Sequence, residues 1–387
     1  MTSVTSENEI LDFVQTARAE RRPFEIVAGG TRRGAGRPML GESGSNLPLL
    51  DVSGVSGIVE YQPEELIVTA KPGTSLAELK AVLAAKNQCL GFDPVDWTLF
   101  GSGGTTTLGG AMSSDASGSG RLRHGPARDS LLAFRAINGF GDAYRGGAKV
   151  VKNVTGFDLP KLVCGAFGTL GVLSEVTFRV YPRAQARTTL ILRDLAPDAG
   201  FAALRTIWKS ALEPSGLAYI PAVANFPGIG DIGQGASLIR FEAAEMPLSE
   251  KITAAKLLVG EAEILEQGEA VFAAIGEGAL YKNSDLDVWR VTVPPTEAAR
   301  VAASLASPLW LGDWAGGLLW IGAKAEDAPR IRALAAEAGG NALLLRAPAT
   351  RRIELGLYAP QPPALAALTA SVRAAFDPLG LFNPGRL

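Results

Sequence analysis

Apolar positions recur at helical spacing between Glu7 and Glu20, where Ile10, Leu11, Phe13, Val14 and Ala17 gather on one side and Pro23 ends the run. Phe24–Ala28 then reads as a short buried strand. Leu49–Val52, Gly57–Tyr61 and Leu66–Ala70 read as three more, separated by turn residues. Ser75 opens a helix with Leu76, Leu79, Val82 and Leu83 on one face, and Glu78 is spaced to complete a capping box. Gly91-Phe92-Asp93-Pro94 leads from it into a long loop. Thr107 is placed to cap a short helix through Ser114, and Leu131–Ile137 is an apolar strand. This order of strands and helices is an α+β pattern rather than a regular βαβ array.

The chain is organised around Lys152-Asn153-Val154-Thr155-Gly156-Phe157-Asp158-Leu159-Pro160-Lys161 and its continuation Phe167-Gly168-Thr169-Leu170-Gly171-Val172. It reads as a turn, a short apolar helix, a glycine-rich bend and a strand from Val172 to Val180. Without a Cβ, glycine lets a flat ligand lie on the backbone. A structural turn is the plainer reading of the glycines alone, but their neighbours carry more. Gly29-Gly30-Thr31-Arg32-Arg33-Gly34-Ala35-Gly36-Arg37-Pro38 follows a strand. Its successive N–H groups and three arginines suit a pyrophosphate, against the alternative of an arginine-rich surface loop. A dinucleotide fingerprint at Gly30–Gly36, with Asp51 as the ribose acid, fails because Pro38, Gly41 and Gly44 leave no helix to open. A Walker loop fails for want of Gly-Lys-Ser/Thr. The small residues from Thr107 to Gly120 form a third signal, offering hydroxyls and bare N–H groups to ribityl or phosphate oxygens.

Beyond Pro182 and Arg183 the character changes. Strands are expected at 188–192, 237–242, 286–293, 318–323 and 342–346, and helices at 201–212, 249–259, 297–305 and 328–338. They predict an antiparallel sheet with helices on one face. Trp208, Trp289, Trp310, Trp314 and Trp320 are expected in its core. The tail is a helix over 365–376 stopped by Asp377-Pro378, then an apolar-anchored turn to Asn383-Pro384-Gly385-Arg386-Leu387. The expected domains are 1–183, 184–350 and a returning segment 351–387.

Composition narrows the chemistry. A net charge of −2 argues against a broad nucleic-acid footprint. The two cysteines, Cys89 and Cys164, form no CxxC pair and are expected as core thiols, and the single histidine, His124, leaves no histidine-based metal site. Met1–Glu20 lacks the apolar centre of a signal peptide, and no run approaches the ~18 apolar residues of a spanning helix, so a soluble, cytoplasmic chain is expected.

Together these motifs resemble the vanillyl-alcohol-oxidase-type flavoproteins with their p-cresol-methylhydroxylase-like FAD domain. Ala28–Thr31 with Gly36-Arg37-Pro38 matches the family's pyrophosphate loop. Thr107–Gly110 and Gly125–Asp129 match its second FAD segment, Lys152–Asp158 and Gly168–Val172 its third, and Asp377–Gly385 its return to the flavin. Within the family the likeness is greatest to the small FAD-binding subunits of bacterial glycolate oxidases. It runs through Leu50-Asp51-Val52, Gly57–Leu66, Val151–Leu159 and Leu311–Gly317. The resemblance implies two α/β subdomains forming the FAD domain, an antiparallel-sheet α+β cap, and a non-covalent FAD. It implies contacts to that FAD from Gly29, Gly30, Thr31, Arg32, Arg33, Gly34, Pro94, Thr107, Gly109, Gly110, Ser114, Gly118, Asp129, Gly168, Thr169, Gly171, Val172 and Asn383. It further implies a complex with a larger FAD-linked catalytic subunit and an iron–sulfur subunit, peripheral to the membrane if it meets one at all, that oxidises glycolate to glyoxylate. Catalytic relatives carry a histidine- and acid-rich motif in the cap, and this chain has no histidine after residue 124. In the first reading Arg240 or Arg351 at most clamps a carboxylate; a stand-alone 2-hydroxyacid dehydrogenase with a non-histidine base and a scaffold without cofactor stay open beside it.

Overall fold

The computed structural model describes residues 1–40, 46–97, 104–149, 156–305 and 309–387. Lys152, Asn153, Val154 and Thr155, the front of the organising stretch, and Gly41 and Gly44 lie outside the described residues. The chain divides into two compact units. One comprises Met1–Ala116, Pro126–Arg183 and Pro360–Leu387, the other Ser117–Gly125 and Ala184–Ala359.

The division departs from 1–183, 184–350 and 351–387 in two places, and each has a physical cause. Ser117–Gly125 belongs to the second unit because its polar groups bond there. Ser119 Oγ donates to Asp313 Oδ2 at 2.8 Å, Trp314 Nε1 donates to the Gly118 carbonyl at 3.1 Å, and Arg123 Nη1 donates to the Glu242 carbonyl at 2.8 Å. The helix Ala349–Leu355 stays there as well, because Arg351 pairs with the buried Asp287 at 2.7 Å.

The first unit is built on two main sheets. The smaller has three parallel strands in the order Thr2–Ser3, Leu49–Asp51, Glu25–Val27. Helix Glu7–Ala19, capped by Ser6, covers it with Ile10, Val14 and Ala17. Phe24, Leu50, Val52, Leu381 and Phe382 complete that core. The larger sheet is antiparallel, in the order Ile58–Gln62, Ile67–Ala70, Val172–Arg179, Leu131–Ile137, Ala143–Gly147. Helices Leu76–Ala84 and Leu108–Ser114 pack Leu79, Leu83, Leu108 and Met112 against its Val68, Phe134, Val176 and Phe178. Both helices start where the sequence places a hydroxyl: Ser75 accepts from Glu78 N at 3.1 Å, and Thr107 from Gly110 N at 3.3 Å. Ile137 and Val172 belong to the smaller core while Phe134 and Val176 belong to the larger, so two strands join both.

The second unit is an eight-stranded antiparallel sheet. Its central strands Gly216–Pro221 and Leu318–Ala323 are buried at every position, which requires cover on both faces. Side chains alternate along a strand, and Leu190, Leu217 and Ile239 face one core with Phe201 and Leu204 of helix Pro197–Lys209. On the other face Phe272, from helix Gly268–Glu277, lies against Gly216 and under the Arg240 guanidinium. The expectation of helices on one face is therefore corrected. Trp208 is corrected too: it is 43% exposed, next to Ile207, the last buried residue of its helix. The other four tryptophans are buried. Among the described residues, no helix is long and apolar enough to cross a membrane.

Candidate functional site

Strand Glu25–Val27 ends in the Ala28–Arg33 loop at the edge of a cleft within the first unit. Thirteen of the expected residues line it: Gly29, Gly30, Thr31, Arg32, Arg33, Thr107, Gly109, Gly110, Ser114, Gly168, Gly171, Val172 and Asn383. They come from four distant stretches of chain. The remaining five lie elsewhere. Gly34 and Pro94 are not among the walls. Asp129 is exposed on the short helix Ala127–Ser130. Thr169 turns its hydroxyl back to the Ala166 carbonyl at 2.8 Å. Gly118 belongs to the second unit.

The bare faces of most of these glycines meet protein, not open space. A Cβ on Gly29 would collide with the Thr105 carbonyl oxygen, and one on Gly109 would fall 2.7 Å from Pro72 Cβ. At Gly168, whose φ of 73° suits glycine, a Cβ would fall 2.8 Å from Asn383 Nδ2. Glycine is needed here to bring segments together, which in turn shapes the cleft. Gly110 differs: a Cβ there would meet only Thr107 Oγ1, at 3.4 Å.

The arginines also have more defined tasks than a loose cluster. Arg33 grips the buried Glu25 with two parallel bonds of 2.8 Å, and this bond holds its guanidinium above the usual pKa. Arg32 reaches the carbonyls of Val95 (2.5 Å) and Asp96 and the Ser114 hydroxyl, and stacks on Trp97. Arg37 is exposed. The C-terminal turn supplies what the loop does not. Asn383 Oδ1 accepts from Ile26 N at 2.8 Å, its Nδ2 donates to the Phe167 carbonyl at 2.7 Å, and Arg386 enters the wall beside it. Arg386 is the cationic wall residue that sequence reasoning missed. It stands in the quoted tail motif, but nothing local separates it from a surface arginine.

With Ile26, Val27, Ala28, Val52, Phe167 and Leu173 the walls are apolar enough for a flat ring. Thr31, Thr107, Ser113, Ser114 and the arginines offer donors to hydroxyls and phosphates. The donor set and the apolar walls fit FAD. Arg351, bound to Asp287, and Arg240, buried with its Nε on the Ser215 hydroxyl at 3.0 Å, serve the second unit's structure. Both cysteines are free thiols, and burial pushes the Cys164 pKa up.

The model of the FAD binding domain family matches residues 2–147. Glycolate oxidase subunit GlcE of Escherichia coli (strain K12) is 31% identical over 380 residues, spanning 98% of this chain and 96% of that protein. D-2-hydroxyglutarate dehydrogenase of Stutzerimonas stutzeri (strain A1501) is 29% identical over 48% of this chain and 38% of its own length. Among solved structures, p-cresol methylhydroxylase with substrate bound aligns over all of this chain and 88% of its own, with a TM-score of 0.70 at 15% identity. Alkyldihydroxyacetonephosphate synthase aligns over 99% of this chain and 76% of its own, with a TM-score of 0.68 at 16% identity. These two share the fold, as the α+β reading expects. The full-length likeness decides more: this chain belongs to the family of the glycolate oxidase subunit GlcE.

Proposed function

We propose that this chain is the FAD-binding subunit of an enzyme complex that oxidises glycolate to glyoxylate, beside a larger FAD-linked catalytic subunit and an iron–sulfur subunit. The observation that carries the reading is the cleft of the first unit, which combines apolar walls with diphosphate-suited donors, in a chain related to a glycolate oxidase subunit along nearly its whole length. Gly29, Gly30 and Thr31, with Thr107, Gly110 and Ser114, would hold the diphosphate and ribityl chain, and Gly168–Val172 would border the flavin ring. FAD, when bound, supplies the two-electron acceptor.

Alcohol oxidation also needs a base for the hydroxyl proton. Glu25 is the one carboxylate in the cleft wall among the described residues, and both its oxygens are bound to Arg33. The sole histidine, His124, ends the one-turn helix Arg121–His124 in the second unit. The reading therefore leaves proton abstraction to the larger subunit and gives this chain a role in electron transfer or assembly. Purified alone, the chain is expected to be yellow, and its flavin to stay oxidised under anaerobic glycolate or D-lactate until the larger subunit is added. A colourless protein that takes up no added FAD would defeat the reading. Bleaching by glycolate with this chain alone would make it a self-sufficient dehydrogenase.

A further inference from the structure

The wall of the cleft holds four charged side chains: Glu25, Arg32, Arg33 and Arg386. Their sum is a net charge of two positive, and the diphosphate of a dinucleotide carries two negative charges. Arg33 and Glu25 are joined as a bidentate ion pair. Arg32 is a strut between the Val95–Asp96 backbone, Ser114 and the Trp97 ring. Arg386 is only 6% exposed, and three features of the fold set its position. Its backbone N–H closes a turn on the Asn383 carbonyl at 3.1 Å. Its Nη2 donates to the carbonyl of Arg32, at 2.5 Å. Gly36, at φ 74°, leaves it room: a Cβ there would fall 2.7 Å from the Arg386 carbonyl oxygen and 3.3 Å from its Nε.

We propose that Arg386 is a cation of the diphosphate subsite, so that the turn Asn383–Arg386 sets the affinity for FAD together with the 29–33 loop. The proposal rests on the FAD reading above and deepens it. Arginine binds phosphate oxygens through charge-assisted, often paired hydrogen bonds, and a water-poor cleft strengthens them. The backbone bond to Asn383 fixes the turn and the Nη2 bond to the Arg32 carbonyl fixes the guanidinium, which is therefore held in place before the nucleotide arrives.

The test is FAD affinity of the full-length chain, measured by quenching of flavin fluorescence at low and moderate salt. Arg386→Gln is expected to raise the FAD Kd by about tenfold and to flatten its salt dependence. Arg386→Lys should recover much of both, because it restores the charge. Arg330→Gln, an exposed arginine of the second unit, should match the parent chain. Thermal melts without FAD separate charge from scaffolding. If Arg386→Gln binds FAD as the parent does, or if Arg386→Lys loses affinity and apo stability as fully as Arg386→Gln, the arginine is a strut and the proposal is wrong. Failure of the parent chain itself to bind FAD would instead overturn the reading on which the proposal stands.

Discussion

The side-chain oxygen of Asn383 accepts the backbone N–H of Ile26 at 2.8 Å, across 357 positions of sequence. The same amide donates to the Phe167 carbonyl at 2.7 Å, so one side chain stitches the strand Glu25–Val27 to the bend before the strand Val172–Arg179. Asn383→Ala would leave two backbone groups without their partner. A loss of about 2–4 kcal/mol in urea unfolding is expected, since each orphaned group costs about 1–3 kcal/mol. Asn383→Asp keeps the acceptor but sets an oxygen against the Phe167 carbonyl, and should destabilise as well. A variant with unchanged unfolding midpoint would show that the contact contributes nothing.

Adjacent glycines on helix Leu108–Ser114 should respond in opposite ways. A Cβ at Gly109 meets Pro72 at 2.7 Å, whereas one at Gly110 meets only Thr107 Oγ1, at 3.4 Å. Gly109→Ala should cost about 1–3 kcal/mol through overpacking. Gly110→Ala should leave the apo protein as stable or slightly stabilised, because alanine favours helix by up to ~1 kcal/mol. Thermal melts of the two variants check this, and equal melting temperatures would contradict it.

Glu25 is 4% exposed and held by Arg33. Arg33→Met would strand a buried carboxylate, with an expected loss of about 1–3 kcal/mol, because the arginine is itself partly exposed. Adding Glu25→Gln should return part of that loss. A double-mutant cycle with no coupling between the two positions would rule the pair out as a stabilising contact.

Asp313 in the second unit gives a dependence on pH. Burial pushes its carboxyl up to about 6, against opposing bonds from Ser119 and the Trp314 N–H and the charges of Arg240 and Arg290. A carboxyl with a raised folded pKa favours folding at low pH, where it is protonated, and that contribution is lost as pH rises from about 4 through 6. Relative to Asp313→Asn, the parent chain should lose up to about 3 kcal/mol of stability across that window. Parallel stability curves for the two proteins between pH 4 and 7 would refute the assignment.

What the sequence disclosed and what it hid follow from the range of the interactions. Leu131–Ile137 and Leu318–Ala323 were legible because their apolar runs are local, and the hydroxyls of Ser75 and Thr107 marked their helices for the same reason. The strand Gly216–Pro221 escaped notice because glycine, alanine and proline carry no strand signature. Only packing on both faces makes it one. Ser117–Gly125 looked like a continuation of the glycine-rich path, yet Ser119 bonds to Asp313, 194 positions away. The glycines were read as a bed for a flat ligand, and which protein neighbour instead fills the space beside most of them was not readable. Thr105 and Pro72 supply that answer.

The stitch made by Asn383 also orders events in time. The partner of the strand containing Ile26 is made 357 positions after it. At about 5–20 residues per second, roughly 20 to 70 seconds of elongation separate them. Throughout that interval the nascent cradle stands open along one side. The wall that Asn383 joins is therefore complete only once residue 383 has been made and has met Ile26.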